Sequence, residues 1–467
     1  MPNNDRPAPA VRTGRVARAA PLVALTGRTA GEAVVSALRR RRGNASDQAS
    51  RERAAQRYAE SLGRSRGVLM KAGQILSFVS LGSLVDGGRQ SVYQAALARL
   101  QDDAPPMDPD VAAGVVAAEL GAPPGEVFAH FEPEPLAAAS IGQVHAARTH
   151  DGRDVVVKVQ YPGVDEAIRA DLANAELLAT FFQLVRGLLP DLGRTDARSL
   201  AREVTMRIGE EIDYRAEAAN QQAFADAYAG HPFIRVPNVL PDLSTGRVLT
   251  SERSTGMRWA AAQSAPQELK DRWGEAIYRF TLGSLRRMAV FNADPHPGNY
   301  LFHDDGTVTF LDFGCVKHFS PEQVDWMRRA VQAAIDGDGE LVLKLYADQG
   351  FVDPADSPTP AGILEWARES LAPVLEPQPF RYTTEYAGRL VDLEFSPRGP
   401  RAETVQKLIL PGEYLALTRI DLGMTAVLGT LGASSAWAGI REELDLDAPP
   451  STPYGELEAA WRERVSR

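Results

Sequence analysis

The sequence predicts an α+β protein of two lobes, one rich in strands and one mainly helical, behind a helical extension. Three observations lead there. Val-rich, strand-like runs concentrate between residues 141 and 252. Helical periodicity takes over beyond Pro266, and a single hairpin signature near residues 299–312 interrupts it. Strands first and helices afterwards is the α+β pattern, unlike the strict alternation of a doubly wound sheet.

Taken in order, the elements are as follows. Residues 1–49 form a basic Ala/Arg-rich tail, read as disordered, whose basic part ends in Arg39-Arg40-Arg41-Arg42. It carries no secretory signal. A mitochondrial presequence and a contact with anionic lipid are its two sharper readings. Residues 50–120 read as a helical extension, with Tyr58, Leu62, Leu69, Ile75 and Leu76 near helical spacing. Asp102 to Asp110 reads as a linker, and a short helix over Pro109 to Leu120 stops at Gly121. Ile141 to Ala147 and Asp154 to Gln160 are strands around the turn His150-Asp151-Gly152-Arg153. Helical stretches follow over Val164 to Leu189 and Ala197 to Ala229, then a strand over Arg247 to Glu252. Asn299 to Phe302 and Thr307 to Asp312 form the embedded hairpin. Leu422 to Ile440 carries no charge, but Gly, Ser and Thr dilute it, so it reads as a buried helix rather than a membrane span. The expected domains are a strand-rich lobe over 121–255, a helical lobe over 256–445 and a tail over 446–467.

Composition narrows the function. With 467 residues and 44% hydrophobic content, the chain can bury a sizeable core. A net charge of -10 argues against general nucleic-acid binding, which needs a basic surface. Cys315 is the only cysteine, so neither an intramolecular disulfide nor a Cys-based metal site is expected, and a reducing compartment suits it. Only six of the 51 Lys and Arg residues are Lys. A Lys in this chain therefore marks a place where an ammonium is wanted.

Two motifs carry chemistry together. Asp294-Pro295-His296-Pro297-Gly298-Asn299 is followed, a hairpin later, by Asp312-Phe313-Gly314. An Asp with an Asn five residues on has the spacing of a kinase catalytic loop. Asp294 would orient the proton of an attacking hydroxyl, while Asn299 and Asp312 would offer hard oxygens to Mg²⁺ on ATP phosphates. His296 lacks a second His at ligand spacing. Upstream, Ala137-Ala138-Ala139-Ser140-Ile141-Gly142-Gln143-Val144 overlays the G-x-G-x-x-G-x-V pattern, with Ala in the first two Gly positions. Lys158 ends the run Val155-Val156-Val157-Lys158, where a strand Lys neutralises the α- and β-phosphates. Such a Lys needs a carboxylate on a following helix, and Glu211 and Glu217 are the candidates.

With these motifs on view, the chain resembles the UbiB/AarF family of atypical kinase-like proteins. Lys71-Ala72-Gly73-Gln74 matches that family's KxGQ motif, and Ala137 to Ser140 its alanine-rich loop. The segment from Glu211 through Asp213, Tyr214 and Glu217 to Asn220 is similar to its acidic helix. Asp294, Asn299 and Asp312 fall on its catalytic and metal positions, and the likeness spans roughly residues 50 to 440. It implies a bilobal protein-kinase-like fold that binds ATP and Mg²⁺ between its lobes. Lys71 and Gln74 would enter the nucleotide pocket from a helix folded over it. They would obstruct a peptide and favour a lipid or isoprenoid small-molecule acceptor, or water. Alanines in place of glycines would limit positive φ, stand the backbone off the phosphates and slow transfer. The residues Phe291-Asn292-Ala293 replace the His-Arg of ordinary catalytic loops, and no Ala-Pro-Glu follows Asp312, so control by activation-loop phosphorylation is not expected.

The expectation is thus an atypical kinase or ATPase, cytoplasmic and peripheral at a membrane, supporting isoprenoid-quinone or other lipid metabolism. Two rival readings stand beside it. One is a small-molecule kinase of the aminoglycoside or choline type, which would not need Lys71. The other is a nucleotide-binding pseudokinase scaffold.

Overall fold

The computed structural model describes residues 107–139, 141–172, 212–395, 399 and 401–466. The chain divides into two compact units. The first holds 107–172, 212–215 and 240–253, and the second 216–239 and 254–466. Lys71, Gln74, Ser140, Glu211, the tail 1–49 and most of the extension 50–120 lie outside the described residues.

The first unit is built on a four-stranded antiparallel sheet. Helix α1 (Pro109–Leu120) starts with the Asp108 carboxylate accepting the Asp110 N–H and stops at Gly121, whose φ of 81° only glycine adopts cheaply. Strands β1 (His130–Ala139), β2 (Gly142–Arg148), β3 (Asp154–Gln160) and β4 (Val248–Glu252) pair antiparallel in that order. On β3, Val155, Val157 and Val159 are fully buried, so Val156 and Lys158 turn to the opposite face. Helix α2 (Val164–Leu172) is tied back by Asp165, which bonds Arg247 at 2.9 Å.

Strand β1 is absent from the sequence expectation. Pro133 and Pro135 mask it, since proline removes a ladder donor. The strand accommodates them because it lies at the sheet edge and its register shifts on both sides of Pro135. The alanines are corrected with it. Ala137, Ala138 and Ala139 are not a loop but the last three residues of β1, paired to Val144, Gln143 and Gly142.

In the second unit, helix α3 (Tyr214–Ala227) begins two residues into the first unit's share of the chain. The expected helix through Asp213 is also corrected, because Ile212 and Asp213 form a turn. The Asp213 carboxylate accepts the Arg215 N–H at 3.0 Å, a competition with helix that Asp commonly wins at an N-terminus. Helix α4 (Gln267–Met288) is the central element, burying Trp273, Ile277, Tyr278 and Phe280. It leads into β5 (Val290–Asn292), the hairpin β6 (Tyr300–Phe302) and β7 (Val308–Phe310), and β8 (Val316–His318), which pairs with β5. Phe310 stacks on Phe280 at 3.7 Å, fixing the hairpin to α4.

Helices complete this unit: α5 (Pro321–Asp336), α6 (Gly339–Asp348), α7 (Pro360–Ser370), α8 (Thr384–Phe395), α9 (Leu415–Leu431), α10 (Trp437–Leu446) and α11 (Pro453–Val465). The span Leu422 to Ile440 is not one helix. It breaks at Gly432 (φ 63°), and Ala433 sits where a Cβ on Gly274 of α4 would be 2.3 Å away. None of the described helices is long and apolar enough to cross a membrane.

The interior holds charge as well as apolar surface. Arg279 of α4 is fully buried and bonds Glu275, Glu443 of α10, and Glu458 and Thr452 at α11, at 2.8–3.2 Å. Glu458 also meets Arg287 at 2.6 Å and Arg462 at 3.3 Å, with His231 Nε2 3.8 Å away. Trp461 of α11 donates to the Ala229 carbonyl at 3.0 Å, just beyond α3.

Candidate active site

Two loops of the second unit connect the same pair of ladders. The first, residues 293–299, runs from β5 to β6, and the second, residues 311–315, from β7 to β8. The Ala293 N–H donates to the Cys315 carbonyl at 2.7 Å, and the Leu311 N–H to the Asn299 carbonyl at 3.0 Å. The two motifs are therefore locked side by side by backbone bonds at both ends.

Side chains finish the lock. Asn292 donates to the Asp312 carbonyl at 2.6 Å and accepts the Asp294 N–H at 3.2 Å, bridging the loops. Asn299 Nδ2 donates to Asp294 Oδ2 at 2.8 Å, and Arg419 Nη2 meets the other oxygen, Oδ1, at 2.7 Å. Asp294 is thus held by a neutral donor on one oxygen and a charged one on the other. His296 is no ligand candidate here, since its Nδ1 accepts the Gly298 N–H and shapes the turn.

The Asp-Phe-Gly loop is fixed from below. Phe313 is fully buried against Phe224 of α3 at 4.9 Å, and Asn220 of the same helix donates to the Phe313 carbonyl at 3.2 Å. Asp312 Oδ1 accepts the Gly314 N–H at 2.9 Å. A Cβ on Gly314 would lie 3.3 Å from Asp312 Oδ1 and 3.5 Å from Glu217 Oε2, so glycine there keeps room between two carboxylates. Glu217, expected as a partner for Lys158, is buried, and its carboxylate lies beside the Asp-Phe-Gly loop.

The donor set suits a magnesium ion. Asn299 commits its amide nitrogen to Asp294, which leaves the amide's oxygen as its ligating atom. Asp312 brings a carboxylate with one oxygen oriented by a backbone N–H. Two hard oxygens from the protein, completed by substrate phosphates, is how Mg²⁺ is usually held.

The remaining predicted residues lie in the first unit. Lys158 pairs with Val144 on one side and Leu249 on the other, and its Nζ sits 5.0 Å from the centre of the Tyr214 ring. Ala137 and Ala139 are extended, with no positive φ, so glycine's freedom is not required of them. Gly142 is different. A Cβ there would be 2.2 Å from the Val159 carbonyl and 2.9 Å from the Tyr214 hydroxyl, so space rather than conformation keeps this position glycine.

Sequence reasoning placed Tyr214 and Asn220 in the acidic helix without giving either a role, gave Asn292 none, and missed Arg419. For Arg419 there was a signal, because α9 carries only two charged residues, Arg419 and Asp421, in seventeen. Asn292 had been read only as a departure from the usual catalytic loop.

An Asp and an Asn on the loop between β5 and β6, locked to an Asp-Phe-Gly loop, with a strand Lys in a four-stranded antiparallel sheet, define a kinase-like protein. Residues 99–346 match the family model for the ABC1 atypical kinase-like domain. The chain belongs to this ABC1 family, the UbiB/AarF group of atypical kinases. It is 35% identical over 300 residues to "Atypical kinase COQ8B, mitochondrial" of Rattus norvegicus, covering 64% of this chain and 54% of that one. It is 32% identical over 295 residues to "Probable protein kinase UbiB" of Marinobacter nauticus, covering 62% and 52%. The chain spans about half the length of these curated relatives. Among solved structures it is similar to Rv3197 of Mycobacterium tuberculosis in complex with erythromycin, with 31% identity and a TM-score of 0.60 over 84% of this chain and 96% of that one.

Proposed function

We propose that this chain is an ATP-dependent phosphotransferase or ATPase whose acceptor is a small lipid-like alcohol or water. The observation that carries the reading is the locked Asp294–Asn299–Asp312 arrangement, in which Asn292 ties both loops and Asn299 orients Asp294. Asn299 and Asp312 hold Mg²⁺, which would neutralise charge on the phosphates of ATP. Asp294 orients the attacking hydroxyl and receives its proton, and Lys158 takes the α- and β-phosphates. Lys71 and Gln74 limit access, so bulky peptide acceptors are excluded. The lipid assignment leans on relatedness to UbiB and COQ8B and extends to isoprenoid-quinone metabolism at a membrane surface, by a protein that is peripheral there.

The test is Mg-dependent ATP turnover with and without liposomes containing anionic lipid, beside Asp312→Asn and Lys158→Arg. Turnover is expected to rise with lipid, to drop at least about a hundredfold in Asp312→Asn, and to fall in Lys158→Arg through weaker nucleotide binding. Equal turnover in wild type and Asp312→Asn under every condition would instead leave a nucleotide-binding scaffold. Phosphate passed to a soluble amino-sugar or choline, with Lys71 dispensable, would move the chain to the small-molecule kinases.

A further inference from the structure

We propose that Arg419 is a built-in catalytic arginine that stabilises the transferred phosphoryl group, and that its bond to Asp294 is its resting position. The inference deepens the phosphotransfer reading and rests on it.

Four observations converge. Arg419 reaches Asp294 from α9, 125 residues downstream, and meets the one carboxylate oxygen that Asn299 does not hold. Its other terminal nitrogen lies 4.0 Å from Cys315 Sγ, directly after Asp-Phe-Gly, so the guanidinium spans both chemistry-bearing loops. The pair is open on one side, with the Arg419 side chain 18% and that of Asp294 24% exposed. Finally, the approach is built. One turn along the same face of α9, a Cβ on Gly423 would fall 2.2 Å from Pro295 Cγ, so only glycine lets this helix lie on the Asp294 loop.

Chemistry explains why a cation belongs there. In phosphoryl transfer, charge spreads over the three equatorial oxygens of the moving group while the attacking and leaving oxygens stand in line. The acceptor oxygen forms its bond to the γ-phosphorus as the bond to the β–γ bridging oxygen breaks. The acceptor's proton passes to Asp294, and ADP leaves with the bridging electron pair. The acceptor needs an open oxygen on Asp294, and Arg419 occupies Oδ1. A phosphate offers the guanidinium two oxygens in the fork geometry it prefers. Arrival of the γ-phosphate therefore draws Arg419 off Asp294, uncovering the base and placing charge on the group in flight. No residue of the Asp294 loop itself, Asp294 to Asn299, is Lys or Arg, so α9 supplies what the loop lacks.

The test reads binding, not only turnover. Affinities for Mg-ADP and for Mg-ADP with aluminium fluoride, a mimic of the phosphoryl group in flight, are measured in wild type, Arg419→Ala, Asp294→Asn and the double variant. Arg419→Ala is expected to weaken the fluoroaluminate complex at least tenfold, keep Mg-ADP within threefold, and lower kcat by about 10³ with KM little changed. The same tenfold loss is expected when Arg419→Ala is made in the Asp294→Asn background. If both affinities fall together, Arg419 only supports the fold. If its effect disappears in the Asp294→Asn background, it only positions Asp294. Either result overturns the proposal while leaving the phosphotransfer reading intact. A wild type that binds the fluoroaluminate complex no more tightly than Mg-ADP would remove both.

Discussion

Two arginines of the second unit, Arg279 and Arg419, face carboxylates in opposite ways. Arg279 has no exposed side-chain surface, and each of its three nitrogens is bonded, to Glu275, Glu443, Glu458 and Thr452. Arg419 meets Asp294 at a partly open position, from a helix seated on the loop by a glycine contact. A guanidinium with every donor engaged and no exposed surface has nothing to exchange with. One at an open edge can trade a carboxylate for a phosphate. Burial, more than the presence of an ion pair, separates an arginine that holds a fold from one placed where a phosphate can reach it.

Breaking the closed cluster should have the largest effect. Arg279→Met leaves Glu443 and Glu458 buried without their shared cation, and removing one partner of such a network costs about 3–5 kcal/mol. Chemical denaturation should show that loss. At temperatures where the variant stays folded, its preference for the fluoroaluminate complex over Mg-ADP should match wild type. A loss of that preference would mean the two clusters are coupled.

Next in size is Gly423→Ala, which presses a methyl into Pro295 and costs about 1–3 kcal/mol as overpacking. Turnover should fall about tenfold or more, because α9 must lift Arg419 away from Asp294. A variant with normal turnover and lower stability would detach the glycine from the chemistry.

The smallest effect concerns pH. Burial holds the His231 pKa below its ordinary value, with Glu458 opposing the shift and Arg287 and Arg462 reinforcing it. For Glu458, burial alone would raise the carboxyl, but His231 and the Arg287, Arg462 and Arg279 guanidinia outweigh it and hold the group well below its usual range. Below about pH 6.5 an unfolded His231 takes up a proton that the folded one resists, so stability falls as pH drops. Below about pH 4.3 unfolded Glu458 protonates as well, and the contribution of its depressed pKa fades as pH falls towards the folded value. His231→Gln should flatten the stability profile between about pH 7 and 5 by at most about 1.4 kcal/mol per pH unit. An unchanged slope would assign the acid sensitivity to other groups.

The sequence made some of this legible and hid the rest for physical reasons. Helix α1 and strand β3 carry local signals, a proline start with a glycine stop and an unbroken Val run, and both fall where the sequence puts them. The spacing of Asp294 and Asn299 marks them as motif residues, but it does not give the bond between their side chains, which depends on how the loop folds. Strand β1 was hidden because two prolines argue against a strand unless it is known to lie at an edge. The break at Gly432 carries a local signal, a glycine at a left-handed C-cap, but among the Gly, Ser and Thr of the span it reads as dilution of one helix rather than its end. The role of Arg419 was hidden because its partner Asp294 lies 125 residues upstream. An arginine two residues from an aspartate on an apolar helix announces that it has a use, but not which carboxylate it reaches.

The Arg279 cluster also bears on how the protein is made. Its partners Glu443 and Glu458 follow it by 164 and 179 residues. At a ribosome's pace of about 5–20 residues per second, α4 waits roughly 10–35 s before the last of its counter-charges emerges. During that interval Arg279 has only Glu275, on its own helix, as a carboxylate partner within the cluster. The cluster therefore cannot close behind the advancing chain and is completed only once α11 has been made.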